Sequence, residues 1–173
     1  MIKYIKLMVI AIAMASTAFG GSDFKCGKEV VTSDCRFRDT EIQLDLFGSG
    51  GFYQAGEPAW GGGVGINYFF LKYVGVGAEQ TLVGRQDVSE WGTFGNFFLR
   101  YPICSWNVAP YAVAGLGAVY GQTDATLAGT VGGGLEYRFT DNVGIFADAR
   151  WLYNAGVSNS GAVVARTGIK IAF

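Results

Sequence analysis

The last eleven residues, VVARTGIKIAF (163–173), constrain the fold more than any other stretch of the chain. Counting back by twos from Phe173 gives Ile171, Ile169, Thr167, Ala165 and Val163. The positions between are Ala172, Lys170, Gly168, Arg166 and Val164. One set is free of charge and the other holds both cations. That is the period of two of a β-strand whose faces meet unlike surroundings. A half-buried soluble strand alternates as well, so the other segments must decide what each face meets.

Seven further segments read as strands: 41–52, 60–70, 73–82, 92–101, 109–120, 126–139 and 143–153. In 41–52, Ile42, Leu44, Leu46 and Phe52 oppose Glu41, Gln43, Asp45 and Ser49. In 60–70, Trp60, Val64, Ile66, Tyr68 and Phe70 alternate with Gly61, Gly63, Gly65 and Asn67. Segment 109–120 is apolar on both faces and its phase stays open. The connections fall at 54–59, 71–72, 83–91, 102–108, 121–124, 140–142 and 154–162. Each is short enough for an antiparallel hairpin, and none has room for a helical crossover. The 27 glycines and 15% aromatic residues suit many strands and tight turns. The expected fold is all-β, an eight-stranded antiparallel up-and-down barrel.

The charges choose the surroundings. Glu41, Asp45, Glu79, Glu136 and Asp148 share one face with Arg100, Arg138, Arg150, Arg166 and Lys170. Acids and bases balance there, as a narrow interior requires, because buried charges must be paired. The opposite face has no acid or base in any strand that can be phased. It carries aromatic residues near strand ends: Trp60, Tyr68, Tyr101, Tyr137, Phe139, Trp151, Tyr153 and Phe173. Such girdles flank the apolar band of a barrel that faces a bilayer, and tilted strands of about ten residues match its thickness. A cation at mid-membrane on that wall would cost roughly 2–4 kcal/mol. A soluble lipocalin-like binding barrel would exchange the faces, with large apolar residues around an internal ligand. The end-placed aromatics, Phe173 and the charge balance favour the membrane. The interior pairs are expected to join neighbouring strands. Glycines 61, 63, 65, 75, 77, 132 and 134 are expected to leave small water-filled cavities.

The amino-terminus gives the compartment. Lys3 and Lys6 precede an apolar run from Leu7, followed by small residues around Ala18 and Gly20. This pattern reads as a secretory signal peptide, 1–20. The organisation expected is then an amino-terminal segment, 21–39, and a barrel domain, 40–173. Without Lys3 and Lys6, 11 bases face 14 acids, which gives no nucleic-acid footprint.

The chain after residue 40 resembles the small eight-stranded outer-membrane barrels of the OmpA/OmpX-like group. The resemblance is carried by GVGINYFFLKYVGVGAEQ (63–80), PYAVAGLGAVYG (110–121), GGGLEYRFTDNVGIFADARW (132–151) and the terminal strand. It implies a monomer in the outer membrane of a Gram-negative-type bacterium, with outer-membrane lipids around it. It also implies periplasmic chaperones and the β-barrel assembly machinery as partners, with Ile169, Ile171 and Phe173 as the assembly signal. Both chain ends and all three cysteines would then lie on the periplasmic side, where disulfides persist. Cys26–Cys35 is the preferred pair because it closes a short loop. Cys35–Cys104 would instead tie the amino-terminal segment to the barrel rim. A cysteine metal site is the weaker alternative.

Chemistry is sparse. The sequence has no histidine, the commonest acid–base group near neutral pH. Barrel enzymes that rely on one are therefore disfavoured, and no nucleophile elbow, phosphate loop or CxxC motif is present. No catalytic residue, metal or cofactor is expected. The reading is a non-enzymatic protein with a structural, membrane-integrity or surface-interaction role and an ion-paired interior. A small passive porin is the alternative.

Overall fold

The computed structural model describes residues 35–53, 58–85, 88–121, 125–154 and 161–173. The expected signal peptide and Cys26 lie outside the described residues. Eight strands follow in order: β1 (Glu41–Tyr53), β2 (Ala59–Leu71), β3 (Val74–Arg85), β4 (Val88–Arg100), β5 (Val108–Tyr120), β6 (Ala125–Arg138), β7 (Val143–Asn154) and β8 (Gly161–Ala172). Each pairs antiparallel with the next, and β8 pairs with β1 to close the barrel. The turns 72–73, 101–107 and 139–142 lie at the end where β1 begins and β8 finishes, here the terminal end. The other connections lie at the opposite, loop end.

The ladder is staggered. From Glu41 the paired residues run through Phe69, Gly75, Phe98, Val113, Gly132, Arg150 and Val164. They return to β1 at Gly51, ten residues further along. Such a shear tilts the strands, and eight of them enclose a lumen just wide enough for side chains.

One detail corrects the sequence reading and another completes it. The connection expected over 83–91 is mostly ladder, with Val83 opposite Glu90, Gly84 opposite Ser89 and Arg85 opposite Val88. Backbone pairing continues past the apolar band, where polar residues are at home, so apolar alternation underestimates strand length. The phase of β5, left open by the sequence, is fixed by its neighbours. Ala109, Tyr111 and Val113 are buried inside, whereas Leu116 and Tyr120 face out.

The faces segregate by chemistry. Among the side chains described, the acids and bases of the strands are on the inner face, and the large exposed residues are apolar or aromatic. The soluble-barrel arrangement, with apolar residues around an internal ligand, is the reverse of this. On the outer wall the Thr93 hydroxyl donates to Gln80 Oε1 at 2.8 Å, so two polar side chains there partner each other.

Most of the inner glycines do not leave the room expected of them, Gly65 excepted. A Cβ on Gly168 would collide with the Leu46 carbonyl oxygen, and one on Gly132 with that of Ala149. The Phe69 ring lies over Gly75 and the Phe47 ring over Gly63. Glycine therefore admits close strands and inward aromatic rings, the pairing that lets a sheet curl tightly.

Candidate functional site

The lumen is a stack of layers. Its charges are brought in by the strand period. Each of the ten acids and bases expected inside is at most 9% exposed.

The tier nearest the terminal end holds Glu41, Asp45, Arg100, Glu136, Arg138 and Lys170. Arg138 pairs with Glu41 and, at 2.9 Å, with Glu136. Arg100 meets Glu41 at 3.2 Å, and Lys170 meets Asp45 at 3.2 Å. Gln43 donates to Glu41 at 2.7 Å and accepts from Lys170 at 3.2 Å. Asn67 donates to Asp45 at 2.8 Å. Three acids thus face three bases, with two amides completing the set.

The second tier lies toward the loop end and holds Glu79, Asp148, Arg150 and Arg166. Arg166 bridges Glu79 at 2.9 Å and Asp148 at 2.6 Å. Arg150 reaches Glu79 at 3.2 Å and Asp148 at 3.4 Å. The Tyr111 hydroxyl donates to Asp148 at 2.8 Å. Beside this tier is a cavity of about 60 Å³ lined in part by Ser49, Thr81, Glu90, Thr130 and Arg150. Glu90 is an inward acid that the sequence reading did not single out. Arg150 Nε and the Thr130 hydroxyl are buried without a protein partner at this cavity, which is large enough to admit water.

Aromatic side chains separate the tiers: Phe47, Phe69, Phe98, Tyr111 and Phe146, with Val113. Gly168 pairs with both Phe47 and Phe146, and its neighbours on the inner face are Arg166 and Lys170. Arg166 lies 4.4 Å from the Phe47 ring centre, and Lys170 lies 4.9 Å from that of Phe146. Each tier therefore closes on the aromatic layer through a cation–π contact.

The expectation that pairs join adjacent strands holds only for Asp148–Arg166 and Asp45–Lys170. Glu41 on β1 reaches Arg138 on β6, Arg100 on β4 reaches Glu41, and Glu79 on β3 reaches Arg150 on β7 and Arg166 on β8. The stagger brings strands that are not neighbours to one height across a narrow lumen.

The terminal mouth contains a feature the sequence reading missed. Phe37 is 2% exposed. Its ring faces the guanidinium groups of Arg100 at 5.0 Å and Arg138 at 4.7 Å. Arg36 donates to the carbonyls of Arg138 and Phe139, both at 2.6 Å, and Arg138 donates to the Arg36 carbonyl at 2.7 Å. The Lys72 amide donates to Asp39 at 2.7 Å. Thr40 then turns the chain into β1 with φ of 56°, a left-handed conformation disfavoured for a β-branched residue.

That docking corrects the disulfide. Cys35 bonds to Cys104, not to Cys26, with Cα atoms 4.7 Å apart. Arg36 and Phe37 seat the segment in the mouth, which sets Cys35 against the 101–107 turn. Neither Cys35 nor Cys104 is then available as a thiolate metal ligand.

The girdle candidates Trp60, Tyr68, Tyr101, Tyr137, Trp151, Tyr153 and Phe173 are all exposed on the outside, as is Ile169, while Ile171 is half-buried. Tyr68, Tyr101, Tyr137 and Phe173 lie toward the terminal end, and Trp60, Trp151 and Tyr153 toward the loop end.

No protein-family model matches the sequence, and no curated protein matches it. Solved structures match the fold. Neisserial surface protein A is 16% identical, with a TM-score of 0.64 over 77% of this chain and 96% of its own. The N-terminal β-barrel domain of Pseudomonas aeruginosa OprF is 22% identical, with a TM-score of 0.59 over 78% of this chain and 98% of its own. The outer membrane protein OprG of P. aeruginosa is 12% identical, with a TM-score of 0.51 over 80% and 99%. The fold is that of the small eight-stranded outer-membrane barrels.

Proposed function

We propose that this chain is a non-enzymatic barrel of the bacterial outer membrane, with a structural, membrane-integrity or surface-interaction role. The observation that carries the reading is the segregation of chemistry across one wall. A sheet with paired charges inside and a girdled apolar exterior suits hydrocarbon as its outer solvent. The outer-membrane barrels that share the fold support the location, and the pattern over 1–20 supports export.

The filled lumen supports an anchoring role over a pore. Among the described residues, two charge tiers, an aromatic layer and a terminal stopper fill much of the lumen, with a small cavity beside the loop-end tier. The charged groups partner one another, which suits scaffolding better than acid–base chemistry. In this reading Ile169, Ile171 and Phe173 guide insertion by the assembly machinery, and the working state is a monomer in lipid.

The test is a gel of washed outer-membrane fractions with unboiled and boiled samples side by side. A mobility shift on boiling, from protein in the membrane pellet, is the expected result. Soluble protein without a shift overturns the membrane reading. Planar-bilayer recording then addresses the role: sustained large conductance steps would replace the anchor with the porin alternative.

A further inference from the structure

We propose that Cys35–Cys104 is a redox modification site, and that a dithiol of the thiol–disulfide oxidoreductase class opens it to release the stopper formed by residues 35–39. The inference goes beyond the proposed function and does not depend on a conducting lumen.

The stopper touches all three turns at the terminal mouth. It meets β6 and the following turn through Arg36, the 72–73 turn through Asp39, and the 101–107 turn through the disulfide. Phe37 covers the two arginines that neutralise Glu41 and Glu136. While it is docked, the terminal charge tier is closed to water from that end. Both cysteines are only half-buried, so a reductant can reach them.

Two opposed influences make the segment a switch. The disulfide holds it down by adding a second covalent tether to the one at β1. Left-handed Thr40 opposes docking, because its backbone relaxes once the segment lifts. Removing the first leaves the second.

The exchange balances. A thiolate of the dithiol attacks one sulfur, the Cys35–Cys104 bond breaks, and a mixed disulfide forms as the other cysteine leaves as a thiolate. The second thiol of the reagent then attacks the mixed disulfide. Two electrons pass to the protein, whose two thiolates take up protons, and the reagent leaves as a disulfide.

Hydrogen exchange reads the outcome, because two amides report docking directly. Arg38 N–H donates to Glu41 and Lys72 N–H donates to Asp39. The full chain in detergent micelles, carrying Cys26→Ser to prevent re-pairing, is compared before and after dithiothreitol, with thiol counting to show complete reduction. Exchange at Arg38 and Lys72 should rise about tenfold or more. The Tyr101 amide, bonded to the Pro110 carbonyl, should not change. Adding Cys104→Ser should reproduce the effect without reductant. Complete reduction with unchanged exchange at Arg38 and Lys72 overturns the proposal, since the stopper is then held by its other contacts. The measurement needs no bilayer, so its failure is distinct from failure of the membrane reading.

Discussion

The two charge tiers are built from the same residue types yet differ in how they are closed. At the terminal end, Arg138 lies beneath Phe37, between Glu41 and Glu136, with the Arg36 and Asp141 carbonyls taking its remaining protons. At the loop end, Arg150 shares its acids with Arg166 and borders the cavity. Each arginine has a deputy, but Arg166 holds both loop-end acids within 2.9 Å, whereas Arg100 meets Glu41 at 3.2 Å and Glu136 at 3.8 Å. The loop-end site also borders a cavity. Equal burial therefore does not mean equal dependence: what matters is whether solvent or a second cation can take over.

Equilibrium unfolding in urea with lipid vesicles tests this difference. Arg138→Met should have the largest effect, about 3–5 kcal/mol of lost stability, because it removes the nearest cation from both Glu41 and Glu136, two fully buried carboxylates, and one anchor of the stopper. Arg150→Met should cost about 1–3 kcal/mol, because Arg166 still pairs with both Glu79 and Asp148 and the neighbouring cavity can admit water. Equal losses for the two would break the comparison. Glycine sharpens it on a finer scale. Gly168→Ala should cost about 1–3 kcal/mol, since the new Cβ meets the Leu46 carbonyl. Gly65→Ala should change stability by only about 0.5 kcal/mol, because its nearest neighbours stand at ordinary contact distances of 3.5–3.6 Å. A Gly65→Ala loss matching that of Gly168→Ala would mean that glycine serves the backbone and not the close approach.

The period of two made much of this legible. It assigned Glu41, Asp45, Arg150 and Lys170 to one face before any contact was known, because face depends only on parity. Parity does not give height around a sheared barrel, so the partners of Glu41 and Glu79 across the lumen could not be read. The 109–120 segment hid its phase because alanine, valine and glycine suit either face. The stopper was hidden for another reason. CRFRD is too short to show periodicity, and the value of Phe37 comes from Arg100 and Arg138, far along the chain. The Cys26–Cys35 preference failed on the same point, since loop length favours a near partner until docking supplies a distant one.

The cross-lumen pairs also bear on how the barrel comes into being. Glu79 enters with β3, but its partner Arg166 is 87 residues later, on the last strand. Glu41 waits 97 residues for Arg138. A chain with only its first strands assembled would carry these carboxylates without the counter-charges that their burial requires. Circularisation and neutralisation of the interior are therefore coupled. Intermediates between an open sheet and a finished cylinder should be sparsely populated, which gives the assembly the character of an all-or-none event.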